Sequence, residues 1–193
     1  MDPVKKTVFL DRDGVINRDS PDYIKSWKEF EFLPGSLEAL KLLTENHFTI
    51  ILISNQSIIN RGMVTESTLE HIFSMMKKAI KAQEGKLTDI FYCPHMPEEN
   101  CSCRKPAPGM VLSAQKKYNL DLASSFFVGD NAKDIECAKN AGCGYSILVK
   151  TGNEQKALKS LTQTNNTPDH VTENLLEAAR LIINHFNSDN PLQ

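Results

Sequence analysis

The amino-acid sequence predicts an α/β fold with a parallel sheet at its centre. Short apolar runs recur along the chain, segments with apolar residues at helical spacing separate them, and polar loops follow the runs. Parallel neighbours need crossover connections, and strands covered on both faces are apolar throughout instead of alternating. With 193 residues, 40% of them hydrophobic and 24% charged, the chain has the composition of one ordinary globular domain spanning 1–193.

The first buried strand is Thr7–Leu10, which stops at a loop of Asp11, Arg12, Asp13 and Gly14. Pro34, Gly35 and Ser36 open a helix carried by Leu37, Leu40 and Leu43, and residues 49–53 form a second strand that ends at Ser54, Asn55 and Gln56. Thr65 suits the N-cap of a helix with the apolar stripe Leu69, Ile72, Phe73, Met76 and Ile80, without a full capping box because Thr68 stands where an acid would. Residues 90–92 are a third strand. Beyond a polar, cysteine-rich loop come a helix over 109–118, a strand over 125–128, a helix over 132–140 and a strand over 145–149. Residues 152–168 suit a surface helix plus loop, and His170 and Val171 an edge strand. Leu175, Ala179, Ile182 and Phe186 mark a closing helix that frays over 188–193. Ligands of such sheets bind at the carboxyl ends of the strands.

The net charge of −2, from 22 basic and 24 acidic residues, offers no basic field for a nucleic-acid backbone. No apolar run approaches the roughly 18 to 20 residues that span a bilayer, and the N-terminus reaches charged residues without a signal-peptide core. A cytoplasmic monomer with a small-molecule substrate and no nucleic-acid or membrane partner is the expectation. Five cysteines are too few for a disulfide scaffold, and clustered cysteines in a reducing compartment point to metal.

Asp11 and Asp13 directly follow a strand, so two carboxylates project from one tight loop at the sheet's working edge. Like charges so close are costly unless a cation lies between them or one carboxylate keeps a proton and serves as an acid. Asp130 and Asp134 reach the same edge from a second acidic loop. Several carboxylates without His or Cys make a hard oxygen site suited to Mg²⁺ with waters and a bound phosphate. Ser54 adds a hydroxyl and Lys105 a cation, which completes the parts needed to stabilise a transferring phosphoryl group. Cys93, His95, Cys101 and Cys103 supply three thiolates and one imidazole, a donor set that fits tetrahedral Zn²⁺ in a closed structural site. Arg104 and Lys105 follow at once, so a zinc-ordered loop over 93–103 would fix both cations over the phosphoryl site.

Asp11-Arg12-Asp13-Gly14, Ser54-Asn55-Gln56, Arg104-Lys105-Pro106 and Gly129-Asp130-Asn131-Ala132-Lys133-Asp134, in that order, resemble the four motifs of haloacid dehalogenase superfamily phosphatases. The resemblance implies a Rossmann-like three-layer domain in which Asp11 attacks phosphorus to form an aspartyl-phosphate. Asp13 would act as acid and then as base, while Ser54 and Lys105 hold the phosphoryl oxygens. It also implies Mg²⁺ on Asp11, the Asp13 carbonyl and Asp130, with Asp134 as a ligand or a support. The C-x-H and C-x-C spacing ahead of Arg-Lys-Pro resembles the subgroup of heptose bisphosphate and histidinol-phosphate phosphatases, which lacks a large cap domain. Short intervals between Asp13 and Ser54 and between Ser54 and Lys105 agree with that.

The runs 11–17 and 104–110 are similar to the heptose branch, which implies removal of the C7 phosphate from a heptose 1,7-bisphosphate. Histidinol phosphate is the alternative substrate, and a catalytically silent zinc-stabilised binding domain the alternative class. By resemblance the substrate would touch Asp19, Ser20, Pro21, Asp22, Ser54, Asn55, Gln56, Ser57, Arg104, Lys105 and Asn131. Guanidinium forks match phosphate oxygens, so Arg104, with Arg61 or Arg18, is a candidate for the phosphate that is not cleaved. The second loop departs from the subgroup at Ile58, where glycine is usual.

Overall fold

The computed structural model describes residues 6–152 and 154–189. Strands β1 (Thr7–Leu10), β2 (Thr49–Asn55), β3 (Asp89–Cys93), β4 (Phe126–Gly129), β5 (Tyr145–Val149) and β6 (His170–Thr172) form one sheet in the order β3-β2-β1-β4-β5-β6. Every neighbouring pair is parallel. Helices α1 (Ser36–Glu45), α2 (Glu66–Ala82), α3 (Gly109–Tyr118), α4 (Ala132–Ala141), α5 (Glu154–Gln163) and α6 (Leu175–Asp189) supply the crossovers and cover both faces.

Alternate residues of each strand serve opposite faces, because successive side chains of a strand point to opposite sides. Val8, Leu10, Ile50, Leu52, Phe126 and Val128 pack in the core shared with α1, α2 and α6. Phe9, Ile51, Ile53 and Phe127 pack in the core shared with α3 and α4. Both cores need apolar side chains, and so the strands read as continuous apolar runs.

The elements follow the sequence expectation closely, with differences at their ends. Two residues more belong to β2, which runs through Ser54 and Asn55 because both pair with β3. The β3 strand gains a residue at each end, and β4 is shifted by one, to end on Gly129. The Thr65 hydroxyl accepts the Thr68 amide at 3.2 Å and so caps α2 alone. Ser188 and Asp189 continue α6, and the remainder of the segment expected to fray, 190–193, lies outside the described residues. No helix among the described residues is long and apolar enough to cross a membrane.

The strand order reverses at β1: the chain passes from β1 to β2 and β3 on one side, then returns across β1 to β4. Loops leaving β1 and β4 diverge there and open a crevice at the carboxyl ends of the strands. The loop after β1 packs down through Trp27, which stacks on Phe30 at 4.9 Å, while Phe30 meets Phe32 edge-on at 5.0 Å.

Candidate active site

Asp11 stands at that reversal point. Its backbone N–H donates to the Val128 carbonyl at 3.0 Å, which extends the β1–β4 ladder by one bond and places the carboxylate beside the loop after β4. Asp130 and Asp134 come from that loop and from the first turn of α4, and oxygens of all three carboxylates lie within 4.8 Å of one another. Gly14 makes the approach possible. Its φ is +80°, and a Cβ there would stand 2.1 Å from Asp130 Oδ2. Thr151, after β5, donates its hydroxyl to the Gly14 carbonyl and ties a further strand end to the same loop.

Lys105 is buried among these acids, with Nζ 2.9 Å from Asp11 Oδ1, 2.6 Å from Asp134 Oδ1 and 2.9 Å from the Ile53 carbonyl. Asn55 holds its backbone from both sides: the amide Nδ2 donates to the Lys105 carbonyl at 3.1 Å, and Oδ1 accepts the Lys105 N–H at 3.0 Å. Asp134 spends its second oxygen on the Asn131 N–H at 3.0 Å, and the Asn131 side chain accepts the Lys133 N–H, a reciprocal cap that starts α4. Both Asp134 oxygens are therefore engaged by protein donors, which suits it to support a metal ligand.

Three carboxylates against one ammonium leave two negative charges uncompensated. Burial pushes Asp11 from the ordinary 3.8 up to about 7, with Lys105 opposing the rise and Asp134 adding to it. Burial likewise raises Asp130 to about 8, with Asp134 and Asp11 adding to it. Burial also works against the Lys105 ammonium, yet Asp11 and Asp134 hold its pKa above the ordinary lysine value. A divalent, oxygen-seeking cation meets both the charge and the donor type of this cluster.

Asp13, two residues on, behaves in the opposite way. Its burial would raise the pKa, but the Arg12 guanidinium and hydrogen bonds from Arg12, Asn17 and Gln56 hold it below the usual carboxylate range. Asn17 Nδ2 donates to Oδ1 at 2.9 Å and Gln56 Nε2 to Oδ2 at 3.0 Å.

The cleft above these groups has a volume of about 340 Å³ and is lined by both loops. Asp19, Ser20, Pro21, Asn55, Gln56, Arg104, Lys105 and Asn131, all candidates from the sequence, line it. Five other expected contacts lie elsewhere, among them Arg18, which pairs with exposed Glu31 at 3.1 Å. Ser54 is buried, its hydroxyl accepting Gln56 Nε2 at 2.8 Å, and Ser57 is buried on the same loop; neither lines the cleft. Asp22 points to the outer side of its loop, into a groove shared with Arg18, Lys25 and Glu29. Arg61 is exposed, with its guanidinium 5.9 Å above the Tyr23 ring, so Tyr23 and not Arg61 forms that wall.

Tyr23, Ile24 and Lys133 line the cleft without having been singled out in the sequence. The signal for Lys133 was available, because it occupies the first turn of the helix that carries Asp134. The role of Arg12 beside Asp13 was the larger omission; a basic residue between two acids at a strand end was the clue.

A second cluster lies at the end of β3 and on the loop that follows it. Cys93 Sγ, Cys101 Sγ, Cys103 Sγ and His95 Nδ1 lie within 4.8 Å of one another. Sulfur to sulfur separations are 3.5, 3.0 and 3.4 Å, and Nδ1 is 3.4 and 3.3 Å from Cys93 and Cys103. A tetrahedron with Zn–S of about 2.3 Å has edges of about 3.8 Å, so the four atoms converge at nearly the spacing zinc requires. Arg104 donates from Nη1 to the His95 carbonyl at 3.0 Å, so the loop that gathers the thiols also aims a cation at the cleft.

Comparisons with known proteins agree with this geometry. Residues 102–178 match a family model described as "HAD-hyrolase-like". A D-glycero-beta-D-manno-heptose-1,7-bisphosphate 7-phosphatase of Bordetella bronchiseptica is 44% identical over 153 residues, covering 79% of this chain and 85% of that protein. The Escherichia coli K12 protein of the same name is 36% identical over 183 residues, covering 91% and 92%. The crystal structure of the D,D-heptose 1,7-bisphosphate phosphatase from B. bronchiseptica, complexed with magnesium and phosphate, superposes with a TM-score of 0.87 at 40% identity, covering 93% of this chain and 99% of that one. The chain thus belongs to the haloacid dehalogenase-like hydrolases, in the family of the heptose 1,7-bisphosphate 7-phosphatases.

Proposed function

We propose that this protein is a Mg²⁺-dependent phosphatase that removes the C7 phosphate of D-glycero-β-D-manno-heptose 1,7-bisphosphate in the cytoplasm. The observation that carries this is the pairing at the end of β1. Asp11 is held by Lys105 at 2.9 Å, and Asp13 faces the same cleft with both oxygens fixed by neutral and cationic donors. The names of the relatives at 36–44% identity support the substrate.

Asp11 attacks phosphorus with a carboxylate oxygen. The bond from phosphorus to the C7 oxygen breaks, the oxygen keeps the electron pair and takes a proton from Asp13, and the heptose 1-phosphate leaves. Asp13 then takes a proton from water as the water oxygen attacks the phosphorus. The acyl-phosphate bond breaks toward Asp11, which regains its carboxylate as inorganic phosphate departs. The incoming phosphate carries negative charge close to Asp13, which raises the proton affinity of a carboxylate otherwise held ionised. Lys105 stabilises charge on the phosphoryl oxygens throughout.

Mg²⁺ would be held by Asp11, Asp130 and the Asp13 carbonyl, backed by Asp134, and would supply charge neutralisation at the phosphoryl group. The two uncompensated charges of the carboxylate cluster and the all-oxygen donor set fit that ion. Zn²⁺ would be held by Cys93, His95, Cys101 and Cys103, where four protein ligands leave no open position and the metal orders the loop that carries Arg104. Arg104 and Lys133, cations at the cleft wall, are available for the phosphate that is not cleaved.

The test is phosphate release with Mg²⁺ from both anomers of heptose 1,7-bisphosphate, histidinol phosphate, fructose 1,6-bisphosphate and a 3′-phosphorylated oligonucleotide. We expect kcat/KM for the β-anomer to exceed every other by tenfold or more, about 1.4 kcal/mol of discrimination. Preference for histidinol phosphate would overturn the substrate. No hydrolysis of any of them would favour a binding domain instead.

A further inference from the structure

We propose that Arg12 is a positioning residue of the reaction: it fixes the plane and direction of the Asp13 carboxylate so that one group can give a proton and later take one. The inference rests on the function proposed above and concerns a side chain with no contact to phosphate in that mechanism.

Among the described residues Arg12 has the largest fully buried side chain, at 2% exposure, although it sits at the wall of the catalytic cleft. A guanidinium is costly to bury unless its charge is paired. Here Nη2 lies 2.8 Å from each oxygen of Asp13 and Nε lies 3.1 Å from each. Nη1 is buried with no hydrogen-bond partner, so no second carboxylate or carbonyl competes for the guanidinium. On its far side the group lies over the ring of Phe73, with Cζ 5.8 Å from the centroid, and the ring's negative face favours a cation there.

The backbone is fixed as firmly as the side chain. The Arg12 carbonyl accepts N–H groups from Val15, Ile16 and Asn17, and the Arg12 N–H donates to Asp11 Oδ1 at 2.7 Å. One residue therefore touches both carboxylates, Asp11 through its main chain and Asp13 through Nε and Nη2. Each of the two donors is equidistant from both oxygens, so the line joining them crosses the line joining the oxygens, and this rigid pair fixes the twist of the carboxylate where a lysine ammonium defines only a distance. Asn17 and Gln56 each hold one oxygen from other directions, which leaves the cleft side of Asp13 open to the leaving group and to water.

The chemistry separates this role from a purely structural one. An alkoxide leaving group needs a proton from Asp13 as the phosphorus–oxygen bond breaks, whereas a nitrophenolate leaves without one. Hydrolysis of the aspartyl-phosphate needs Asp13 as base whichever substrate formed it.

The experiment compares wild type, Arg12→Met and Arg12→Lys with heptose 1,7-bisphosphate and p-nitrophenyl phosphate in single-turnover and burst measurements. For Arg12→Met we expect kcat/KM on the sugar bisphosphate to fall by about 10² to 10³-fold through kcat, with KM within about threefold. The first turnover of p-nitrophenyl phosphate should stay within about fivefold of wild type and be followed by a slow phase, as phosphorylated Asp11 accumulates. Arg12→Lys, which keeps a cation but loses the rigid pair of donors, should recover less than about a tenth of the lost rate. Should Arg12→Met fail to fold, the same split between the two leaving groups must appear in Arg12→Lys. Equal losses on both substrates, or full activity of Arg12→Lys, would overturn the proposal and leave the functional reading intact. A wild-type protein inactive on every alkyl phosphate would overturn both.

Discussion

The carboxylate cleft and the cysteine and histidine loop both gather metal-binding side chains, yet they are built on opposite principles. At the cleft, three acids share one lysine, and burial lifts Asp11 and Asp130 to about 7 and 8, so the protein alone does not satisfy the charge it has assembled. At the loop, four nitrogen and sulfur donors converge at 3.0 to 3.5 Å, the number that fills a tetrahedral coordination sphere. An unsatisfied, open cluster is suited to bind and transform a ligand, and a saturated, closed one to hold a loop in shape. The two meet at Cys103-Arg104-Lys105, where the last zinc-type donor is followed by the cations of the cleft.

The largest expected effect is at the cleft. Asp11→Asn should reduce phosphate release by about 10⁴-fold or more at unchanged fold, measured against the heptose bisphosphate, because it removes the proposed nucleophile. Retained activity would mean that the cleft does not act through a covalent intermediate. Cys103→Ser breaks the loop instead; zinc content should fall from one per chain toward none and Tm by about 5 to 10 °C. Loss of activity at unchanged Tm would erase the distinction, since the loop would then act in the chemistry and not in the structure.

The third expectation concerns pH. The folded-state values of Asp11 and Asp130 lie above the ordinary 3.8, so between pH 4 and 8 the Mg²⁺-free folded chain binds more protons than the unfolded one. Its stability therefore falls as pH rises through that window and levels off above about 8. Saturating Mg²⁺ competes with those protons and should raise Tm by about 5 °C at pH 8.5 and by less than half of that at pH 5.5, read by thermal melts. An equal shift at both pH values would show that the ion binds away from Asp11 and Asp130.

Arg104→Ala probes the junction of the two regions and should raise KM for the bisphosphate by about tenfold while that for a heptose 7-phosphate changes less, about 1.4 kcal/mol of selective binding. An equal change for both would place Arg104 at the cleaved phosphate. The smallest effect lies far from both regions: Lys117→Met, which removes the ion pair of an exposed lysine with Asp89, should leave Tm within about 1 °C of wild type.

Much of this was legible in the sequence because it is local. The alternation of strands and helices, the N-cap at Thr65, the loop of Asp11 and Asp13 and the donor spacing of Cys93, His95, Cys101 and Cys103 each depend on neighbours within a few positions. The lining of the cleft was less legible. Ser54 and Ser57 turn inward and Arg61 turns out to Tyr23, because the side on which a loop residue points depends on what packs behind the loop. Asn55 and Gln56 line the cleft yet spend their amides on Lys105 and Asp13, a use that nothing adjacent to them in the chain announces.

The sequence by itself determined the fold class, the order of the elements and which residues bring chemistry to the sheet's carboxyl edge, since periodicity and spacing are properties of a short stretch of chain. Only the tertiary structure decided how those residues divide the work. Asp11 and Asp13 are chemically identical and two positions apart; one is pressed among acids and the other is held by a buried arginine, and their pKa values move in opposite directions. Burial and charge depend on distance through space: Lys105 and Asp134 reach Asp11 from distant parts of the chain, while Arg12 and Asn17 close by in sequence and Gln56 from the loop after β2 hold Asp13.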